Sequence, residues 1–229
     1  MAASSGRRKA GRSANRSRGR PPTRADDDVR SALLDAASKL FLKHGFERVT
    51  ARQIAAAAGT TPAMIHYYFT NKLGLFRAML EHAIRPMSEL LAGALSQAEA
   101  APPDPADVIR MHMSTVARNP WIPAFIVNEV FAEKGRFRAT FIRDIASRQM
   151  PLLIELLERG RHAGKFRPDL EPRFAALSLV SLCMFPFLSR AVSGPVLGLK
   201  LEGEELDRLI AHTAHLFIAG IRNSERESS

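Results

Sequence analysis

TARQIAAAAGTTPAMIHYYFTNK, residues 50–72, places two short helices on either side of a tight turn. Thr50 and Gln53 have the spacing of a capping box: the threonine hydroxyl accepts from the Gln53 backbone N–H while the glutamine side chain reaches back to Thr50. A helix over Thr50 to Ala58 follows and stops at Gly59. Thr60 or Thr61 caps the next helix, and Pro62 occupies its first turn, where a missing N–H costs nothing. That helix ends near Phe69, and Asn71 starts another.

Upstream, Val29, Leu33, Ala36, Ala37, Leu40 and Phe41 recur on one helical face. Asp26 to Asp28 supply negative charge at its start, and Lys43, His44 and Gly45 give it a cationic end with a glycine stop. Three helices in about 40 residues, the second and third joined by Gly59-Thr60-Thr61, follow helix-turn-helix spacing. Downstream, residues 71–98 read as a long connector kinked at Pro86, and APPDP (101–105) as a loop ending in Asp104 as N-cap with Pro105 as the first helical residue. Further helices are expected over 105–118, 121–132, 136–161 (disturbed at Pro151), 172–192 and 203–222, with most prolines at their boundaries. No alternating strand pattern and no repeat stands out, so the fold class is all-α.

In the third helix, Ile65 and Phe69 are four apart and face the first helix, which leaves Pro62, Ala63, His66 and Tyr67 pointing away. Small residues beside flat, hydrogen-bonding aromatics suit a helix lying in the DNA major groove. Ala63 and Met64 allow close approach and can meet a thymine methyl. His66, Tyr67 and Tyr68 can donate to phosphate or base edges, and Lys72 adds a cation near the same backbone.

The pattern Thr50-x3-Ile54-Ala55-x2-Ala58-Gly59-x8-Tyr68-Phe69-x2-Lys72-x2-Leu75-Phe76 closely resembles the DNA-binding signature of the TetR family of transcriptional regulators, over about residues 28–76. The resemblance implies that Thr60, Thr61, Pro62, Ala63, Met64, His66, Tyr67 and Tyr68 enter the major groove. It also implies that Thr50, Arg52, Tyr68 and Lys72 hold phosphates. His66 departs from the family, which usually carries a tyrosine there. The implied organisation is a basic, disordered arm over 1–27, a three-helix DNA-binding domain over 28–75, and a helical effector-binding and dimerisation domain over 76–229. Two such chains would read a palindromic operator on double-stranded DNA as a homodimer, most often as a repressor released by a small-molecule effector. No cofactor is expected.

The C-terminal two-thirds carries no motif that names a ligand. Met111, His112, Met113, Trp121, Phe125, Phe131 and Phe141 are the candidates for an effector pocket, because methionine and aromatic side chains suit a hydrophobic or flat ligand. Core packing is the competing role for each. On the last long helices, Ala175, Leu179, Leu182, Cys183 and Pro186, and Leu206, Leu209, Ile210, Thr213, Phe217 and Ile221, are either interior core or dimer seam. His212 and His215 share a helical face, but no acid or thiol stands beside them at metal-binding spacing, so no metal site is assigned.

The net charge of +10 is concentrated at one end. Residues 1–24 hold eight basic residues and no acid, leaving 25 basic against 23 acidic residues over the remainder. Such a Gly-, Ser-, Arg- and Pro-rich tail cannot bury apolar surface, and it suits a polyanion. Within it, Arg18-Gly19-Arg20-Pro21 resembles the core of an AT-hook that enters an A·T-rich minor groove.

The start lacks the apolar run of a secretory signal, and Cys183, the sole cysteine, is read as a buried structural thiol, so a cytoplasmic address is expected. The apolar, uncharged run Phe174 to Ser189 has 16 residues and contains Pro186, which reads as a buried helix rather than a membrane span. Two other functional classes compete with this reading. A nucleoid-associated architectural protein is motivated by the tail. An enzyme with a nucleic-acid module lacks any G-x-S-x-G, P-loop, G-x-G-x-x-G or H-E-x-x-H motif.

Overall fold

A computed structural model describes residues 24–96, 104–133 and 135–223. The first helix, α1, runs Arg24–His44, so residues 24–27, assigned from sequence to the arm, belong to it. It stops where Gly45, at φ 78°, donates its N–H to Phe41. Helix α2 (Ala51–Ala57) opens with the expected capping box: Thr50 Oγ1 accepts from Gln53 N at 3.2 Å, and Thr50 N donates to Gln53 Oε1 at 2.8 Å. Gly59, at φ 67°, turns the chain into α3 (Pro62–Phe69).

The exit from α3 is unusual. Thr70 sits at φ 70°, ψ −44°, and Asn71 N donates to Phe69 O at 2.8 Å, which is a γ-turn of the rare, strained hand. Asn71 Oδ1 accepts from Gly74 N at 2.8 Å and so caps α4 (Lys72–Ser96). Any Cβ at position 74 would overlap the Phe69 carbonyl oxygen, so only glycine lets α4 pack this closely on the end of α3.

Helix α5 (Pro105–Arg118) starts from Asp104, whose side chain accepts from Ala106 N at 2.9 Å. Helix α6 (Trp121–Phe125) continues as a π-helix over Ile126–Phe131, and α7 (Arg138–Phe141) continues as a second over Ile142–Ala146 before α8 (Ser147–His162). The Arg138 guanidinium closes the first π segment, donating to the carbonyls of Val130 (2.8 Å), Phe131 (3.1 Å) and Ala132 (2.6 Å). Where one helix was expected over 172–192, the chain forms α9 (Pro172–Leu188) and α10 (Arg190–Leu197), bent by 73°. Helix α11 (Gly203–Ile221) ends the described chain. Among the described residues there is no strand and no single helix long and apolar enough to cross a membrane.

The buried side chains form two cores. The first joins the faces of α1, α2 and α3 to the start of α4, and includes Leu33, Ile54, Ile65, Phe76, Trp121, Phe125, Phe137 and Ile145. The second joins α5, α8, α9 and α11 to Leu91 of α4. Met184 packs against both. In the first core Phe76 stacks on Phe125 (centroids 3.5 Å apart) and meets Trp121 edge-on at 5.0 Å.

Candidate nucleic-acid interface and effector region

Helix α3 has two unlike faces. Ile65 is fully buried and Phe69 nearly so, while Thr61, Pro62, Ala63, His66 and Tyr67 are exposed on the other side. Tyr67 keeps 72% of its surface. Met64, Thr60 and Tyr68 are half-buried, and the Tyr68 ring meets Tyr67 edge-on at 4.8 Å. Thr61 is the N-cap by backbone geometry (φ −106°, ψ 155°), but its hydroxyl makes no cap bond. His66 Nδ1 lies 2.7 Å from Thr70 O. A carbonyl can only accept, so Nδ1 is the donor in this bond. The same bond braces the strained Thr70.

Two of the candidates for phosphate contact also hold the domain together. The Thr50 hydroxyl belongs to the capping box, whereas Arg52 is exposed. Lys72, given only a phosphate from sequence, is half-buried. Its Nζ donates to Phe46 O at 2.6 Å and Val49 O at 2.9 Å and lies 4.1 Å over the Phe46 ring. Burial lowers the Lys72 pKa, with Glu47 opposing that shift. Helical periodicity could not reveal this role, because the partners lie 26 and 23 residues upstream. Residues Arg18, Gly19 and Arg20 lie outside the described residues.

The structure does not gather the seven effector candidates into one pocket. Met113 belongs to the second core, while Trp121 and Phe125 belong to the first. Phe131 is 67% exposed, and Phe141 packs on the margin of the first core. Met111 and His112 are half-buried on α5. Enough protein surrounds the His112 ring that burial pushes its pKa down to about 4. Burial likewise pushes the Cys183 thiol up to about 12, as expected of a structural cysteine. A surface hollow of about 520 Å³ lies on α8, lined by Pro151, Ile154, Glu155, Glu158, Arg159 and His162, with none of the candidates among them.

Sequence patterning gave no sign of the charges at the joint between the DNA-binding helices and the rest. Glu129, in the first π segment, is only 5% exposed, and burial raises its pKa with the Glu47 carboxylate adding to the shift. Glu47 pairs with Arg136, and that contact holds its carboxyl below the usual range. Asp144, in the second π segment, is also buried. It meets Arg77 of α4 at 3.2 Å and Arg143 at 2.7 Å. Each π segment therefore sets a buried acid against the first turns of α4 or the loop before α2, and π segments often mark functional positions.

The terminal helices sort into core and free surface. Ala175, Leu179, Cys183, Ile210, Thr213, Phe217 and Ile221 are buried. Phe174, Leu177 and Phe185 on α9, and Leu216 on α11, remain more than half exposed, with His212 and His215 exposed beside Leu216.

Comparison with known proteins places these features in context. The family described as bacterial regulatory proteins, tetR family, matches residues 33–79, and the tetracyclin repressor-like C-terminal domain matches residues 106–216. The chain is 29% identical over 162 residues to the HTH-type transcriptional repressor NicS of Pseudomonas putida, covering 69% of this chain and 76% of that protein. It is 31% identical over 139 residues to the HTH-type transcriptional regulator BetI of Brucella suis biovar 1, covering 58% and 69%. The solved complex of SmeT with triclosan superposes with a TM-score of 0.68 at 19% identity, covering 86% of this chain and 92% of that one. SmeT is a repressor of a Stenotrophomonas maltophilia multidrug efflux pump.

Proposed function

The chain belongs to the TetR family of bacterial regulatory proteins, and on that premise we propose how it performs its DNA-binding, regulatory work. It acts in the cytoplasm as a homodimeric repressor that reads a palindromic operator and is released by a small, largely apolar effector. The observation that carries the DNA-reading part is the two-sided α3: Ile65 and Phe69 anchor it, and Thr61, Pro62, Ala63, His66 and Tyr67 stand free to enter a major groove. Arg52, exposed on α2, serves a flanking phosphate, while Lys72 holds the loop that leads into α2.

Dimerisation is supported by the exposed apolar side chains of α9 and α11, which a second copy would cover in a four-helix arrangement. Two-fold symmetry would then present two copies of α3 to half-sites about one helical turn or slightly more apart. An effector is supported by what the relatives and the similar structures are: NicS is a transcriptional repressor, and SmeT has been solved with triclosan. Coupling would pass through α4, whose first turns carry Lys72, Phe76 and Arg77 against both the DNA-binding helices and the π segments.

Footprinting on the DNA flanking the chain's own gene tests the proposal. Two protected half-sites related by a dyad are expected. Diffuse protection without a dyad would favour the architectural alternative and overturn this one.

A further inference from the structure

Among the described residues Thr70 is the only non-glycine with a positive φ. A β-branched side chain is strained in that backbone shape, which the turns at 45 and 59 leave to glycine. Such a residue persists only where its surroundings over-determine it, and such residues gather where position matters to function.

Three hydrogen bonds hold Thr70 there. Asn71 N donates to Phe69 O at 2.8 Å and closes the γ-turn. Asn71 Oδ1 accepts from Gly74 N at 2.8 Å and joins the turn to α4. The third is the 2.7 Å bond from His66 Nδ1 to Thr70 O. No backbone N–H among the described residues donates to that carbonyl, so the imidazole stands in for the backbone. Of the three, this bond alone ties the turn to a side chain of α3.

The turn decides how α3 projects. Helix α3 ends at Phe69 and α4 begins at Lys72, so the torsions of Thr70 and Asn71 set the angle between them. The start of α4 is fixed independently, by the bonds of Lys72 to Phe46 and Val49 and by the Phe76–Phe125 stack. Ile65 and Phe69 hold one side of α3 to the core, which leaves its exit to the turn. Relaxing Thr70 to a negative φ would therefore re-aim the exposed face of α3 while α4 stayed in place.

We propose that His66 is a positioning residue for DNA reading: its Nδ1–H clamps Thr70 in the strained turn and so sets the pose in which α3 presents Tyr67 and its neighbours to the major groove. The inference rests on the reading of α3 given above and assigns His66 to the pose of the helix rather than to a base.

Two amides separate these roles. Nδ1 lies as far along the histidine side chain as the amide nitrogen lies in asparagine, and Nε2 as far as it lies in glutamine. In the full-length protein, His66→Phe should weaken binding to the footprinted operator about five- to tenfold, the effect of one hydrogen bond. His66→Asn should recover most of that loss, and His66→Gln should not. Without DNA, NMR amide exchange at Asn71 should quicken in the Phe and Gln variants by a similar factor and recover in the Asn variant. Thr70→Gly relieves the backbone, so in that background His66→Phe should cost less than about twofold in affinity.

Recovery by glutamine instead of asparagine would overturn the inference and make His66 a direct DNA contact through Nε2. The expected order of affinities with unchanged Asn71 exchange would overturn it too, since the ring would then act on DNA without moving the turn. So would equal affinities throughout. If Asn71 exchange follows the expected order while the wild-type protein protects no discrete operator, the clamp on Thr70 stands and the DNA-reading premise fails.

Discussion

The Lys72 ammonium donates to the carbonyl oxygen of Phe46 and covers the ring of the same residue, so a single cation fixes both the backbone and the side chain of the loop that enters α2. Lys72→Met would keep the aliphatic stem and remove the donors, leaving the Phe46 and Val49 carbonyls without them. A loss of about 1–3 kcal/mol in unfolding free energy is expected from a urea titration. If holding that loop is the main role of Lys72, the slope of log K against log salt for operator DNA should stay unchanged. A fall of about 0.9 would assign the charge to a phosphate instead.

Tyr67 has no comparable structural duty. At 72% exposure, Tyr67→Ala should leave stability within about 0.5 kcal/mol of wild type. Operator affinity should nevertheless fall by about 1–3 kcal/mol in a gel-shift titration, with the dimer intact on gel filtration. A variant that binds as tightly as wild type would take Tyr67 out of the interface.

His112 sets an acid limit. Its folded pKa is depressed to about 4 from an ordinary 6.5, so the native state prefers the neutral ring. The stability this contributes is fully present above pH 6.5 and drains away as pH falls towards 4, because the unfolded chain takes up the proton first. His112→Gln should therefore show a smaller drop in urea midpoint between about pH 7 and about pH 5 than wild type does. Parallel pH profiles would show that the ring is better hydrated than its surroundings imply.

Leu177 tests the assembly. It is 66% exposed on the same outer face of α9 as Phe174 and Phe185. Leu177→Glu adds no buried charge to the monomer but would set two carboxylates into a symmetric apolar seam, at a cost of several kcal/mol. A folded monomer with weakened operator binding is expected by light scattering and gel shift. A dimer of wild-type stability would move the seam elsewhere.

Much of the DNA-binding part was legible in the sequence, because its signals are local. The Thr50–Gln53 box, the glycine stops at 45 and 59, the Asp104 cap and the buried Ile65–Phe69 pair all act within a few residues. What was not legible depends on residues far apart in the chain. Lys72 finds partners across the α1–α2 loop, Asp144 finds Arg77, and the pocket candidates divide between two cores, Met113 in one and Trp121 and Phe125 in the other. The π segments were invisible too, since one extra residue per turn leaves no mark on apolar periodicity over so short a stretch. The break at Ser189 followed a run apolar enough to hide it.

The arm supplies a last test. Deleting residues 2–23, which ends just before α1, should weaken operator binding and lower the salt slope by about 0.9 for each phosphate released. If Arg18-Gly19-Arg20 enters a minor groove, Arg20→Ala should cost more on operators with A·T-rich flanks than on G·C-rich ones. Equal losses would reduce the arm to diffuse attraction, and an unchanged salt slope would remove it from the complex.

The first core takes Leu33, Ile54 and Ile65 from the DNA-binding helices and Trp121, Phe125 and Phe137 from beyond α5, so the boundary drawn in sequence near residue 75 runs through the middle of a packed interior. The reading head is therefore not a detachable module. Cut out alone, it would show water the face of Phe76 that stacks on Phe125. Spliced onto another sensor, it would need that sensor to bring its own aromatic wedge. New operator specificity is better sought by changing the exposed side of α3 in place than by exchanging whole domains.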